Sequence, residues 1–354
     1  MNSKDRVIKA LDFERTDRVP RNHPYWDEFE TAYKIKKGWV DVNLADVFKE
    51  DIFIAYPDEG PFPSLKSDGP NDEGNVYHER DSWGRVFLRK RDAKFLLVTD
   101  AIIKEYADLD KLTFEPADLD SRYANVPNME ALKQRYCVFL KIGGFFQRTS
   151  WLRGEEEFLV DTALEPSFAA ELASRTADHI LGVGLEALKR WQLYDTGVWL
   201  FDDIGSTRGP VVSPKAFEHI FYPQYKKVIS ALKAAGAQKI LFHSDGNIES
   251  ILDMLLDAGV EVINPVEQRS GMNPVLLRKK YGRRLGMIGC IDNVHILPSG
   301  TKSEIEKMTR EVLELARDGG IVVGVHSLGD DIPVENIDFY FDLLDKYGQF
   351  DKKI

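Results

Sequence analysis

Short apolar runs alternating with helix-length amphipathic stretches predict an α/β chain whose parallel strands are buried on both faces. Eight such runs fall within the 354 residues, and no Gly-x-Gly-x-x-Gly turn follows any of them. That arithmetic favours a (β/α)8 TIM barrel over a doubly wound open sheet. One segment near residues 82–99 breaks the rhythm and is expected to be an inserted β-hairpin.

The second half of the chain carries five β-then-α units. The run 198–201 ends in Asp202-Asp203. Ser213-Pro214 then supplies an N-cap and a first-turn proline for a helix reaching about Ala235 and stopping at Gly236. Run 239–242 leads to a helix over 247–258, stopped by Gly259. Run 260–263 leads to a helix over 273–281, closed by Gly282. Run 285–288 leads to a helix over 302–317, closed by Gly319-Gly320, and run 321–323 leads to a helix over 334–347. In the first half, 18–22, 51–55 and 138–142 bring the strand count to eight. The segment SWGRVFLRKRDAKFLLVT at 82–99 reads as two strands around a charged turn, placed to cover or extend the barrel mouth. No repeat, low-complexity tract or linker divides the chain, so 1–354 reads as one domain.

Composition narrows the function. Lys and Arg number 47 against 58 Asp and Glu, a formal charge of −11. Nucleic acids and anionic membranes are bound through positive fields, so neither is an expected partner. With 43% hydrophobic and 11% aromatic residues the chain has ample material for a core. The two cysteines, Cys137 and Cys290, make no disulfide framework. The polar N-terminus lacks a signal-peptide apolar region, and no run approaches the ~18 apolar residues of a membrane helix. A cytoplasmic protein is expected.

Barrel enzymes place their chemistry at the C-terminal ends of the strands. Asp202 and Asp203 follow the fourth strand, His243-Ser244-Asp245-Gly246 the fifth, and Asn264-Pro265-Val266-Glu267 the sixth. Cys290 and Asp292 follow the seventh and His326 the eighth. In extended backbone, residues two apart project to one side, so His243 and Asp245 both face the axis and His326 reaches across the mouth. Two histidines and a carboxylate suit a divalent metal with a position left for substrate, and Glu267 is placed to complete the set. The plainer alternative is a rim of separately hydrogen-bonded polar residues. Asp202 and Asp203 either orient substrate or cap backbone N–H groups. His23 and Trp26, after the first strand, either line the pocket or pack, and Cys290 is either a pocket group or a small buried residue.

The segments Phe242-His-Ser-Asp-Gly-Asn247, Gly259-Val-Glu-Val-Ile-Asn-Pro-Val-Glu267, Gly289-Cys-Ile-Asp292 and Pro333-Val-Glu-Asn336 resemble the uroporphyrinogen decarboxylase superfamily. So do Lys4-Asp-Arg-Val-Ile-Lys-Ala-Leu-Asp-Phe13 and Asp17-Arg-Val-Pro20. The resemblance spans nearly the whole chain and implies the same barrel. The superfamily holds haem-pathway decarboxylases and zinc methyltransferases that work with corrinoid proteins. The decarboxylases resemble one another in an arginine-rich N-terminal loop. Here that stretch is Arg21-Asn-His-Pro-Tyr-Trp-Asp-Glu-Phe29, with one arginine and several acids, a poor match for a polyanionic porphyrinogen.

The methyltransferase branch carries His-x-Cys after the fifth strand and Cys after the eighth; this sequence has Asp245 and His326 there. The resemblance therefore implies zinc, or another divalent metal, on His243, Asp245 and His326. A harder N/O set suits polarising an ether oxygen rather than alkylating a bound thiol. The expected function is a methyltransferase of O-demethylase type. It would move methyl from a methoxylated, aromatic or other, small molecule to a corrinoid (cobalamin) cofactor. Glu267 would be a further ligand or the acid for the leaving oxygen, Asp202 or Asp203 would orient substrate, and His23, Trp26, Cys290 and Asp292 would contact it. None of the seven histidines lies in an Asp-x-His-x-x-Gly signature, so the corrinoid is expected on a separate protein. Thiol methylation, uroporphyrinogen decarboxylation and a non-catalytic binding barrel stay open as alternatives, as does a homodimer.

Overall fold

The computed structural model describes residues 1–67, 76–90, 97–126 and 128–350. Eight strands form one parallel sheet: β1 Arg21–Asn22, β2 Ile52–Ala55, β3 Cys137–Gly143, β4 Gly197–Phe201, β5 Lys239–His243, β6 Val262–Asn264, β7 Gly286–Cys290 and β8 Ile321–Gly324. They run around the barrel in sequence order, with β8 parallel to β1. The seam between β1 and β2 carries the Asp51 N–H donating to the Arg21 carbonyl at 3.0 Å. The chain is a (β/α)8 TIM barrel.

Alternation along the strands sorts the side chains into two cores. Phe139, Trp199, Leu241, Val262, Ile288 and Val322 fill the barrel interior. Their neighbours Val138, Leu140, Val198, Phe242 and Val323 face outward beneath the helices. The helix Ser3–Leu11 plugs the lower end, because its Val7 and Leu11 join the interior cluster. An ion-pair cluster pins it to the seam. The Asp51 carboxylate, fully buried, takes Arg6 Nη1 at 2.7 Å and Arg18 Nη1 at 2.7 Å, and accepts the Arg21 N–H at 3.0 Å. Arg6 also reaches Asp17 at 2.7 Å.

The helices follow the sequence cues closely. Ser213 caps the first turn after β4, and Asn273 caps Pro274–Tyr281. Thr301 and Glu304 make a reciprocal capping box for Lys302–Ala316. One difference is a π turn at Phe217–Phe221 that divides the helix expected over 213–235. Another is that the insertion is larger than a hairpin. Strands Val76–Arg80, Val86–Lys90 and Leu97–Asp100 make a three-stranded antiparallel sheet; the turn residues 91–96 lie outside the described residues. The first strand, VYHER, has too polar a pattern to be read as one. A tight turn pairs it with the second, where the Asp81 carboxylate accepts from the N–H groups of Trp83 and Arg85, both at 3.0 Å, and Gly84 sits at φ 78°. The sheet docks sideways on helix Phe145–Arg153, with Trp83 edge-on to Trp151 at 5.7 Å and the Arg85 guanidinium 3.7 Å over the Trp151 ring. Among the described residues no helix is long and apolar enough to cross a membrane.

The seam cluster yields a stability prediction. Asp51→Ala strands two buried guanidiniums and is expected to cost about 3–5 kcal/mol in urea denaturation.

Candidate metal centre

The upper ends of β5 and β8 bring His243, Asp245 and His326 together. One ligating atom from each lies within 4.8 Å of the other two. Asp245 Oδ1 is 3.3 Å from His326 Nε2 and 3.7 Å from His243 Nε2. Ligand atoms about 2.0–2.2 Å from a shared tetrahedral centre stand roughly 3.3–3.6 Å apart, so Asp245 Oδ1 is spaced from both imidazoles much as a metal would hold them.

The hydrogen bonds around His243 fix which nitrogen faces the mouth. Its Nδ1 lies 2.8 Å from Asn264 Oδ1, while Asn264 Nδ2 donates to the Ile288 carbonyl at 3.2 Å. With the amide committed that way, Oδ1 must accept and Nδ1 must carry the proton. In the neutral ring Nε2 then presents a lone pair to the mouth, and in the imidazolium it presents an N–H to Asp203. Phe201 stacks on the imidazole at 4.3 Å and 14°, holding its plane. Asp245 Oδ1 is buried and has no hydrogen-bond donor. A buried carboxylate oxygen facing a nitrogen lone pair is unfavourable unless a proton or a metal cation lies between them. Two imidazole nitrogens and a carboxylate oxygen are a donor set that zinc accepts.

The acids around the centre differ in state. Burial pushes the Asp245 carboxyl up, against the pull of His326 and His243 and with the repulsion of Asp203 and Glu267. Burial also works to raise Asp203, but the contact with His243 outweighs it, helped by the Asp245 N–H and the Gln147 amide, and holds it at about 2. Glu267 stands outside the three-residue set. Its Oε2 accepts the Gly246 N–H at 2.7 Å, which anchors the loop that carries Asp245.

The remaining expected site residues divide. Asp202 is fully buried and takes the capping role. It accepts the N–H groups of Phe146 at 2.9 Å and Gln147 at 2.7 Å, and the Tyr225 hydroxyl. Gly144 permits this approach, since a Cβ there would lie 2.0 Å from Asp202 Cβ. Burial lifts the Asp202 carboxyl to about 6 in spite of those three donors. Asp292 caps the turn after β7 through the N–H groups of Val294 at 2.9 Å and His295 at 2.7 Å, and lines a small cavity with Glu267 and His326. Trp26 is 60% exposed and reaches Ser327 Oγ at 3.2 Å, next to His326.

Two expectations are corrected. His23 lies behind the barrel wall, between Glu50 at 2.7 Å and the Tyr340 hydroxyl at 2.9 Å, under helix Val334–Tyr347. Cys290 packs with the outer core, because φ of 99° at Gly289 and 77° at Cys290 breaks the alternation at the end of β7. Burial pushes its thiol up to about 12. The sequence reading passed over Asn264 and Phe201, the two groups that orient His243. Asn264 could have been found, since it ends β6 in register with His243. A cavity of about 750 Å³ lies elsewhere, between strand Leu97–Asp100 and helices Phe145–Arg153 and Glu155–Leu164. Asp202→Ala leaves three donors unpaired and is expected to cost about 3 kcal/mol in urea denaturation. Half-exposed Asp203→Ala should cost under about 1 kcal/mol.

Residues 129–347 match the uroporphyrinogen decarboxylase (URO-D) family, a span that includes β3 to β8 and all three clustered residues. No curated protein matches the sequence. Among solved structures, the chain is similar to a methyltransferase from Methanosarcina mazei, with a TM-score of 0.67 at 16% identity over 98% of this chain and 99% of that one. That likeness is one of fold. The family match covers more than half of the chain, and the protein belongs to the uroporphyrinogen decarboxylase family.

Proposed function

We propose that the protein is a corrinoid-dependent methyltransferase of O-demethylase type, taking methyl from a methoxylated small molecule and giving it to the corrinoid of a separate protein. The observation that carries this is the donor-less Asp245 Oδ1 set against two imidazole Nε2 atoms. His243, Asp245 and His326 would hold zinc. When bound, the metal supplies Lewis acidity, and two neutral imidazoles with one carboxylate leave it a formal +1 charge with which to polarise an ether oxygen. The similarity to a Methanosarcina mazei methyltransferase supports this reading.

The chain's own residues do the rest. Asn264 and Phe201 fix the His243 ring, and Glu267 fixes the Asp245 loop through the Gly246 N–H. Asp203, ionised beside His243, offers the mouth a second acceptor. The ether C–O bond would break with its electron pair kept on oxygen, which would take a proton from water, and a reduced corrinoid on the partner would supply the electron pair for the new bond to the methyl carbon. We place the protein in the cytoplasm and read residues 1–354 as one barrel domain.

Two measurements test this. Zinc titration should show one tight site that is lost in the His243→Ala, His326→Ala double variant; full metal binding by that variant overturns the assignment. Asn264→Ala should weaken the metal about 10–100-fold with the three donors intact. Zinc-loaded protein mixed with free cob(I)alamin should demethylate an aryl methyl ether and leave a methyl thioether untouched; the reverse preference favours thiol chemistry.

A further inference from the structure

The barrel mouth also holds a cation that the metal centre does not use. Lys141 lies on β3 two residues after Phe139, an interior residue, and pairs in register with Trp199, also interior. Alternation therefore turns its side chain inward at the level of Trp199, and its long stem carries the ammonium up to the Phe201 ring. Its ammonium stands 4.1 Å from the centroid of the Phe201 ring and 5.8 Å from that of Tyr56. Phe201 also stacks on His243, at 4.3 Å, so one aromatic ring touches both the ammonium and the imidazole.

Among the described residues no hydrogen bond or ion pair holds this ammonium. The two acids nearest to it in effect are Glu59 and Asp203, and both are engaged. Glu59 takes Arg148 Nε at 2.5 Å and the Gly143 N–H at 2.6 Å. Asp203 takes the Gln147 amide at 2.9 Å and faces His243. Arg148, by contrast, is engaged by Glu59, by the Gln147 side-chain oxygen and by the Trp151 ring, 4.0 Å away. Burial, and after it the charge of Arg148, works against the Lys141 ammonium. A half-buried cation with no partner carries a desolvation cost that a bound anion would offset. In an acid-rich chain, such a cation inside the mouth is a selective feature.

We propose that Lys141 is a specificity residue that binds a carboxylate of the methyl donor, which makes the donor a methoxylated aromatic carboxylic acid. The ether oxygen would face His243, Asp245 and His326, and the carboxylate would meet Lys141 Nζ across one ring. The exposed Tyr56 provides a flat wall for that ring. This inference rests on the ether-cleaving reading of the centre.

The test is direct binding, by calorimetry, to the zinc-loaded full chain, with 4-methoxybenzoate and 4-methoxybenzyl alcohol as paired probes. The wild-type protein should prefer the carboxylate by about tenfold or more. Lys141→Met should abolish that preference, and Lys141→Arg should keep much of it. Equal binding of the two probes by wild type overturns the assignment, as does a carboxylate preference that survives Lys141→Met, which would put the carboxylate on the metal. If Lys141→Met does not fold, Lys141→Gln gives the same reading. Because no turnover is needed, a protein that binds the benzoate through Lys141 but transfers no methyl overturns the proposed reaction and leaves this assignment standing.

Discussion

Eight parallel strands wrapped around one axis leave neither face of any strand to water, and this governs where the chain can keep polar chemistry. Below the rim the interior is apolar, from Val7 and Leu11 on the plugging helix up to Trp199 and Leu241. Even there the Trp199 indole N–H is buried without a partner, an arrangement that costs about 1–3 kcal/mol. An ionised side chain at that depth would cost far more. Polar residues are therefore confined to the last inward position of each strand and the loop after it. His243, Asn264 and His326 obey this limit, and Lys141, rooted at the level of Trp199, meets it by extending its ammonium up to Phe201. The lower end meets the same constraint differently: Asp51 is buried at the seam, and it is tolerated because Arg6, Arg18 and the Arg21 N–H satisfy it.

Hydrogen bonding then separates carboxylates that sequence alone leaves equivalent. Asp202 is consumed by a helix N-terminus and a tyrosine, Glu267 by the Gly246 N–H, and Asp292 by its own turn. Asp203 is held ionised through His243 and Gln147. Asp245 alone keeps a buried oxygen with no donor, between two histidines. A protein can give up a hydrogen bond at such a place when a ligand supplies the missing positive charge. Asn264, Phe201 and Glu267 behave as supports: each fixes a ligand or its loop.

The barrel was legible because burial on both faces writes itself as continuous apolar runs, and β2 to β8 fall within a residue or two of those runs. The convergence of His243, Asp245 and His326 was legible for a geometric reason: spacing by two at strand ends survives folding as long as the backbone stays extended. Where the backbone departs from extension the reading fails. Gly289 and Cys290 turn the end of β7 outward, so the thiol expected at the mouth lies in the outer core. His23 was misread because β1 has two residues, too short for alternation to be established before the chain turns. Lys141 was passed over because a lysine inside an apolar run resembles a surface interruption; only register with Trp199 shows that it points inward. Strand Val76–Arg80 is held by turn chemistry at Asp81 and Gly84, not by hydrophobic pattern.

The two cysteines bear on the chemistry more than their number suggests. Cys137 is buried in the barrel interior beside the plugging helix, and burial pushes its thiol well up. Cys290 is buried on the other side of the wall and is likewise raised. Burial disfavours the thiolate, the form that binds a metal, at both positions. The donors left at the mouth are imidazole nitrogen and carboxylate oxygen. A thiolate-rich zinc site is electron-rich and favours a nucleophilic sulfur on the metal. A nitrogen and oxygen set leaves more positive charge to be felt by a weakly basic oxygen. The same absence of thiolate charge makes the mouth hospitable to an anionic donor. Lys141, unpaired and touching the same Phe201 ring as His243, would repel a cationic substrate and draw a carboxylate in. In the proposed reaction, metal hardness would follow from the histidine and aspartate at the mouth, and substrate charge from Lys141.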